Sequence, residues 1–211
     1  MAVMTDYFEN KLIDFLYRAQ AFTAPTIMAY ALIVATRGYS SNIRSAVVAL
    51  NDTVVPTTPN GRYYKCTTAG TAASGEPTWP TTAGGTVADG TVTWTEQTTS
   101  LEAGTFTEVA NAGGYTRPTL NPSATNYAAT QGGTTTPSSG TSGTTNNLAA
   151  IAYGSPSANW GLIFGIMILD SATYGAGNAL TYSALITPKQ VNNGDAAPSF
   201  AISAFTYQID N

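Results

Sequence analysis

The chain shows helical periodicity once, near its start, and then breaks into short apolar segments divided by clusters of glycine, proline, asparagine and threonine. In residues 5–20 (TDYFENKLIDFLYRAQ), Phe8, Leu12, Phe15, Leu16 and Ala19 recur at the three-and-four spacing of an amphipathic helix, which predicts one buried face. Asp6 and Glu9 stand three apart in the first turn, where the helix dipole favours acids, and Asp6 takes the capping role in this reading. Arg18 completes the polarity at the other end. The helix must stop before Pro25, because the residue ahead of a proline is pushed out of the helical region.

From there on the pattern is that of an all-β protein. Strands are expected at 26–36, 43–50, 105–110, 115–120, 148–153, 160–169, 179–187 and 199–209. In the last, Phe200, Ile202 and Ala204 alternate with Ala201, Ser203 and Phe205, as in a strand covered on at least one side. Residues 130–147 (TQGGTTTPSSGTSGTTNN) are low in complexity and predict a flexible tract. The expected fold class is mainly β: a β-sandwich or jelly-roll-like core with one N-terminal amphipathic helix and an inserted small β subdomain.

The insert is read at 51–100, leaving 1–50 plus 101–211 as the core. Its composition shifts, with turn pairs at Asn60-Gly61, Glu76-Pro77 and Asp89-Gly90. RYYKCT (62–67) predicts one strand, and Thr86-Val87 with Thr91–Thr95 predict a hairpin around Ala88-Asp89-Gly90. So small a unit has a thin core and needs contact with the main body or a neighbouring chain.

The chemistry open to the chain is narrow. It contains no histidine, which excludes Ser-His-Asp and Cys-His catalysis and His-ligated zinc. A single cysteine, Cys66, excludes intramolecular disulfides and thiolate metal clusters. Beside Lys65 its thiol has a route to activation, set against the ordinary reading as a small buried hydrophobe. Only 9% of residues are charged, against about 25% in ordinary soluble domains, and the net charge is -4 with no run of either sign. Arg37 and Arg44 are the nearest approach to a basic cluster, so nucleic acid is not an expected partner. The longest apolar stretches, 27–35 and 161–169, fall short of the roughly 18 residues that cross a bilayer. No secretory signal is read at the start, which predicts a product made and kept, or assembled, in the cytosol.

Among the carboxylates, Glu76, Glu96, Asp170 and Asp195 show no diagnostic pair spacing, and Asn192-Asn193-Gly194-Asp195 lacks the acidic alternation of a calcium loop and reads as a turn. Asp170 is expected to cap the turn at 171–173. No cofactor, metal site or enzymatic activity is expected. Tyr63, Tyr64, Trp79 and Trp94 allow two readings: a platform whose ring faces stack on the sugars of a glycan, or the core of a small β unit. Trp160, at the start of an apolar strand, reads as core.

Several strings carry a resemblance. TDYFENKLIDFLYRAQAFTAP (5–25), GGYTRP (113–118), SSGTSGTTNN (138–147), SANWG (157–161) and LTYSALITPKQVNNGDAAPSFA (180–201) resemble tailed-bacteriophage virion proteins of the tail-fibre-like or Gp80-like kind, over residues 5–36 and 101–209. Residues 51–100 depart from that pattern; with YKCTTAGT, EPTWP and DGTVTWT they look like a small module found inserted in phage head and tail proteins. The resemblance implies a non-enzymatic structural component of the virion and transfers no catalytic residue. Low charge lessens repulsion and desolvation cost when many copies pack together. The expected role is capsid-surface decoration or cement, binding the major capsid protein or other virion proteins, with a homo-oligomer expected. The alternative is a tail fibre or other tail-associated protein touching host glycan through the insert.

Overall fold

The computed structural model describes residues 3–40 and 43–209. A short strand, β1 (Val3–Met4), leads into α1 (Asp6–Tyr17), and an irregular stretch then brings the chain to β2 (Ala29–Ala35). The next elements are β3 (Arg37–Gly38), β4 (Val47–Val48), β5 (Thr53–Val55), β6 (Tyr64–Thr68), β7 (Gly70–Thr71), β8 (Thr86–Asp89) and β9 (Val92–Glu96), followed by α2 (Thr98–Glu102). The remainder holds β10 (Thr144–Asn146), β11 (Ile151–Ala152), β12 (Gly161–Leu169), β13 (Ala179–Val191), β14 (Ser199–Phe200) and β15 (Thr206–Gln208).

The main sheet has the order β1-β13-β12-β2 and is antiparallel throughout. Two adjacent strands, β2 (AYALIVA) and β12 (GLIFGIMIL), are apolar at almost every position, as strands covered on both faces must be. Tyr30, Leu32, Ile166 and Ile168 point to one side, where Val109, Tyr115, Ile151, Tyr153 and Trp160 meet them. Ala31, Ile33, Phe164 and Met167 point to the other, against Val55, Tyr63 and Leu101. The first side is roofed by two ribbons, β10–β15 and β11–β14, and the second by an edge of a five-stranded sheet, β3-β5-β6-β9-β8. The molecule is thus mainly β and sandwich-like, with one N-terminal helix and a short second helix, α2, that sequence periodicity did not mark.

The five-stranded sheet has its own core of Tyr39, Ile43, Val48, Val54, Tyr64, Cys66, Val92 and Trp94. The expected hairpin is β8–β9, with Asp89 opposite Val92. Gly90 lies in its turn at φ 64°, where a Cβ would come within 2.3 Å of the Thr71 carbonyl oxygen, so both the conformation and the space require glycine.

Four expectations are corrected. The segment 43–50 forms a turn and the two-residue β4 instead of a long strand. Residues 105–110 and 115–120 run beside β2 through isolated bridges, Glu108 with Ile33 and Thr119 with Ala29, without forming strands. The strand expected at 199–209 is split into β14 and β15. Asn147 causes the split: its Nδ2–H donates to the Ala201 carbonyl, its Oδ1 accepts from Phe205 N–H, and its own carbonyl accepts from Ser203 N–H. Finally, the tract at 130–147 ends in a real strand, β10, while most of what precedes it is exposed and irregular.

Candidate interaction surface

Three of the four aromatic rings singled out in the sequence gather in one place. Trp79 lies 4.4 Å from Tyr64, 6.1 Å from Trp94 and 5.4 Å from Tyr39, centroid to centroid. Tyr64 and Trp94 are buried, and Trp79 is half-buried with its indole N–H donating to Glu76 Oε1 at 2.8 Å. The rings therefore face one another. Tyr63 is not among them. Tyr63, immediately ahead of β6, turns to the other side and packs 4.9 Å from Phe164 in the joint with the main sheet.

Buried polar groups tie this unit together. Asp89 accepts from the Trp94 indole N–H, the Tyr39 hydroxyl and Ala73 N–H. Glu96 receives Arg62 Nη1 at 2.7 Å and the Thr98 backbone N–H at 3.0 Å. Tyr39 is pushed up to about 12, first by burial and then by the Asp89 charge. Burial alone would raise the Glu76 pKa, but hydrogen bonds from Thr57 N–H and Trp79 outweigh it and hold the carboxyl below its usual range. Cys66 is buried, and burial pushes its thiol up, which is the opposite of activation.

The carboxylates weighed as a site do not converge. Asp195 accepts from Asn192 N–H in a turn whose Gly194 has φ 81°. Asp170 bonds Asn178 through both its oxygens, closing the far end of the 170–178 loop, so it does not cap 171–173 as expected. No group of three or more His, Cys, Asp or Glu side chains gathers among the described residues.

What the surface offers instead is uncovered apolar structure along one edge of the main sheet. β13 is the second strand in that sheet, and β1 covers it only at Thr181 and Tyr182. Beyond that point the ladder with β12 is interrupted: Gly165 pairs with Ala184 and Ile163 with Lys189, so residues 185–188 leave the pairing as a large bulge. At its tip Ile186 is 98% exposed. Gly165 permits the close approach, since a Cβ there would lie 2.6 Å from the Ser183 carbonyl oxygen. A groove of about 700 Å³ opens on one side of the bulge, between it and Phe200 and Phe205, and a second of about 490 Å³ on the other, against Arg62 and Phe164.

The helix adds to this surface. Thr5, not Asp6, caps it: the Thr5 hydroxyl accepts from Phe8 N–H and donates to the Ala179 carbonyl, tying the cap to the start of β13. Only Tyr7 and Phe8 pack onto the core, and no side chain of α1 is fully buried. The buried face expected along the whole stripe is confined to the first turn. Further out, Ile13 (49%), Phe15 (51%), Leu16 (64%) and Tyr17 (83%) are exposed. Soluble monomers seldom show so many large apolar side chains together, and such patches mark interaction sites.

The opposite edge is pinned by residues the sequence reading passed over. Arg117, inside GGYTRP, sends Nε and Nη2 to the two oxygens of Glu108, both at 2.7 Å. Its Nη1 donates to the carbonyls of Ser171, Thr173 and Ala176. Tyr115 donates to Glu108 and accepts from Leu32 N–H, and the Gly113 carbonyl accepts the Trp160 indole N–H. The available signal was an arginine directly before a proline in a chain with few charges.

No curated protein matches the chain. Residues 91–208, more than half of it, match the family described as podophage GP4 fiber I protein gp80. That span runs from β9 to β15 and contains the 105–120 segment that runs beside β2, both ribbons and the bulged strand. The chain belongs to this family of phage fibre-type structural proteins and is a component of the virion.

Proposed function

We propose that the protein is a non-enzymatic fibre-type subunit of a podophage particle, held in place by the edge of β13 and the exposed end of α1. The observation that carries the reading is the uncovered apolar surface on that one edge, Ile186 above all, in a chain whose family is described as a fibre protein. An exposed bulge flanked by grooves accepts a neighbouring subunit by shape and apolar burial, and at roughly 25 cal/mol per Å² even a modest contact repeated over many copies holds an assembly together. We read 51–100 as an insertion that extends the surface outward, with Tyr64, Trp79 and Trp94 serving in its core and Tyr63 in its joint with the main sheet.

Capsid-surface decoration is the second reading. It is favoured by the shape of the chain: among the described residues the longest helix is α1, and nothing resembles the repeat or coiled coil from which a long shaft is built. Quantifying the protein in purified tailless heads and in complete virions separates the two. Loss of the protein together with the tail supports the fibre reading. Many copies retained on tailless heads replaces it with decoration.

A further inference from the structure

The N-terminal arm is attached in a way that suits exchange between copies. Its anchor is specific but small. Val3 and Met4 pair with Tyr182 and Thr181, Thr5 N–H donates to the Leu180 carbonyl, and the buried Thr5 hydroxyl donates to the Ala179 carbonyl. Beyond the anchor only Tyr7 and Phe8 reach the core. The tether, residues 18–28, contains neither helix nor strand. Fully extended it reaches roughly 36–40 Å, comparable with the width of a protomer whose radius of gyration is about 17 Å.

We propose that in the assembled state the arm, β1 and α1, docks on β13 of a neighbouring copy of this chain. The occupant is fixed by the structure itself: the seat on β13 fits this arm, and every copy carries the same seat. Exchange repeats each anchoring contact and so costs none of them. The seat leaves Ile13, Phe15, Leu16 and Tyr17 as exposed as in the protomer, so their cover has to come from the donating body, which joins α1 through the tether at that exposed end. Because the contact is head-to-tail, it closes a ring or extends a row. The inference rests on the structural-subunit reading and adds to it the identity of one partner.

Met4 and Thr181 stand directly opposite each other, and such cross-strand pairs place Cβ atoms about 4.5–5.5 Å apart, near what a disulfide needs. Both positions are partly exposed, and the Thr181 hydroxyl has no hydrogen-bond partner to lose. Met4→Cys and Thr181→Cys proteins, prepared separately, mixed under reducing conditions and then oxidised, should give a Met4→Cys to Thr181→Cys heterodisulfide as the main product on peptide mass mapping. The inference is overturned if no heterodisulfide forms while the double variant closes within single chains. Thr5→Val gives an independent readout by light scattering: exchange predicts that wild-type oligomers fall to monomers, and an unchanged oligomeric state, or a monomeric wild type, contradicts it. Incorporation into particles is scored separately, so own-chain docking of the arm leaves the structural role standing.

Discussion

Along β2 the edge of the main sheet is sealed by residues 105–120, whereas along β13 the cover stops with β1 at Tyr182. The sealed edge is closed by backbone hydrogen bonds from Tyr30 and Val34 to the carbonyls of Pro118 and Thr107, and from Val109 and Leu120 back to Leu32 and Met28. A buried ion pair, Arg117 with Glu108, holds that covering segment in register. The open edge has a two-residue strand, a four-residue bulge and an isoleucine in solvent. Exposed strand edges invite pairing, and proteins ordinarily bury, bulge or charge them. Here one edge is buried, and the other is bulged with Ile186 in solvent at its tip, which is the edge proposed above as the interaction surface.

The largest effect should come from breaking the sealed edge. Arg117→Ala leaves Glu108 buried without its counter-charge and the Ser171 and Ala176 carbonyls without this donor, so urea denaturation should show a loss of about 3–5 kcal/mol. Tyr115→Phe removes only the hydroxyl between Leu32 N–H and Glu108, and a loss of about 1–3 kcal/mol is expected in the same assay. On the open side the effects shrink and become local. Thr5→Val removes a helix cap worth about 1–2 kcal/mol, and hydrogen exchange should show faster exchange in α1 while β2 and β12 keep their protection. Ile186→Lys touches nothing in the protomer, so stability should stay within about 0.5 kcal/mol, while incorporation into particles drops. Equal destabilisation by the Arg117 and Ile186 substitutions would erase the contrast between the edges.

The parts of this arrangement legible in the sequence are those set by local pattern. Unbroken apolar runs marked β2 and β12, alternation with a glycine turn marked β8–β9, and three-and-four spacing marked α1. The strings that carried the resemblance turn out to be structural joints: GGYTRP holds the ion pair and the acceptor for Trp160, and NNGDAAPSFA makes the turn into β14. What escaped depends on long-range partners. Asn147 breaks the 199–209 segment from more than fifty residues away, and the covering segment 105–120 takes its bonds from β2 without regular pairing of its own. Periodicity located the apolar stripe of α1 but not its exposure, because the stripe runs on beyond the body that could cover it. The aromatic set was partly separable in advance, since in the strand expected at 62–67 the neighbours Tyr63 and Tyr64 face opposite sides, although β6 itself begins only at Tyr64.

The most direct test compares hydrogen exchange in the isolated protein with exchange in intact particles. The account predicts that added protection on assembly falls on α1 and on residues 183–191, with 105–120 unchanged. New protection along 105–120, with none on α1 or the bulge of β13, would contradict it.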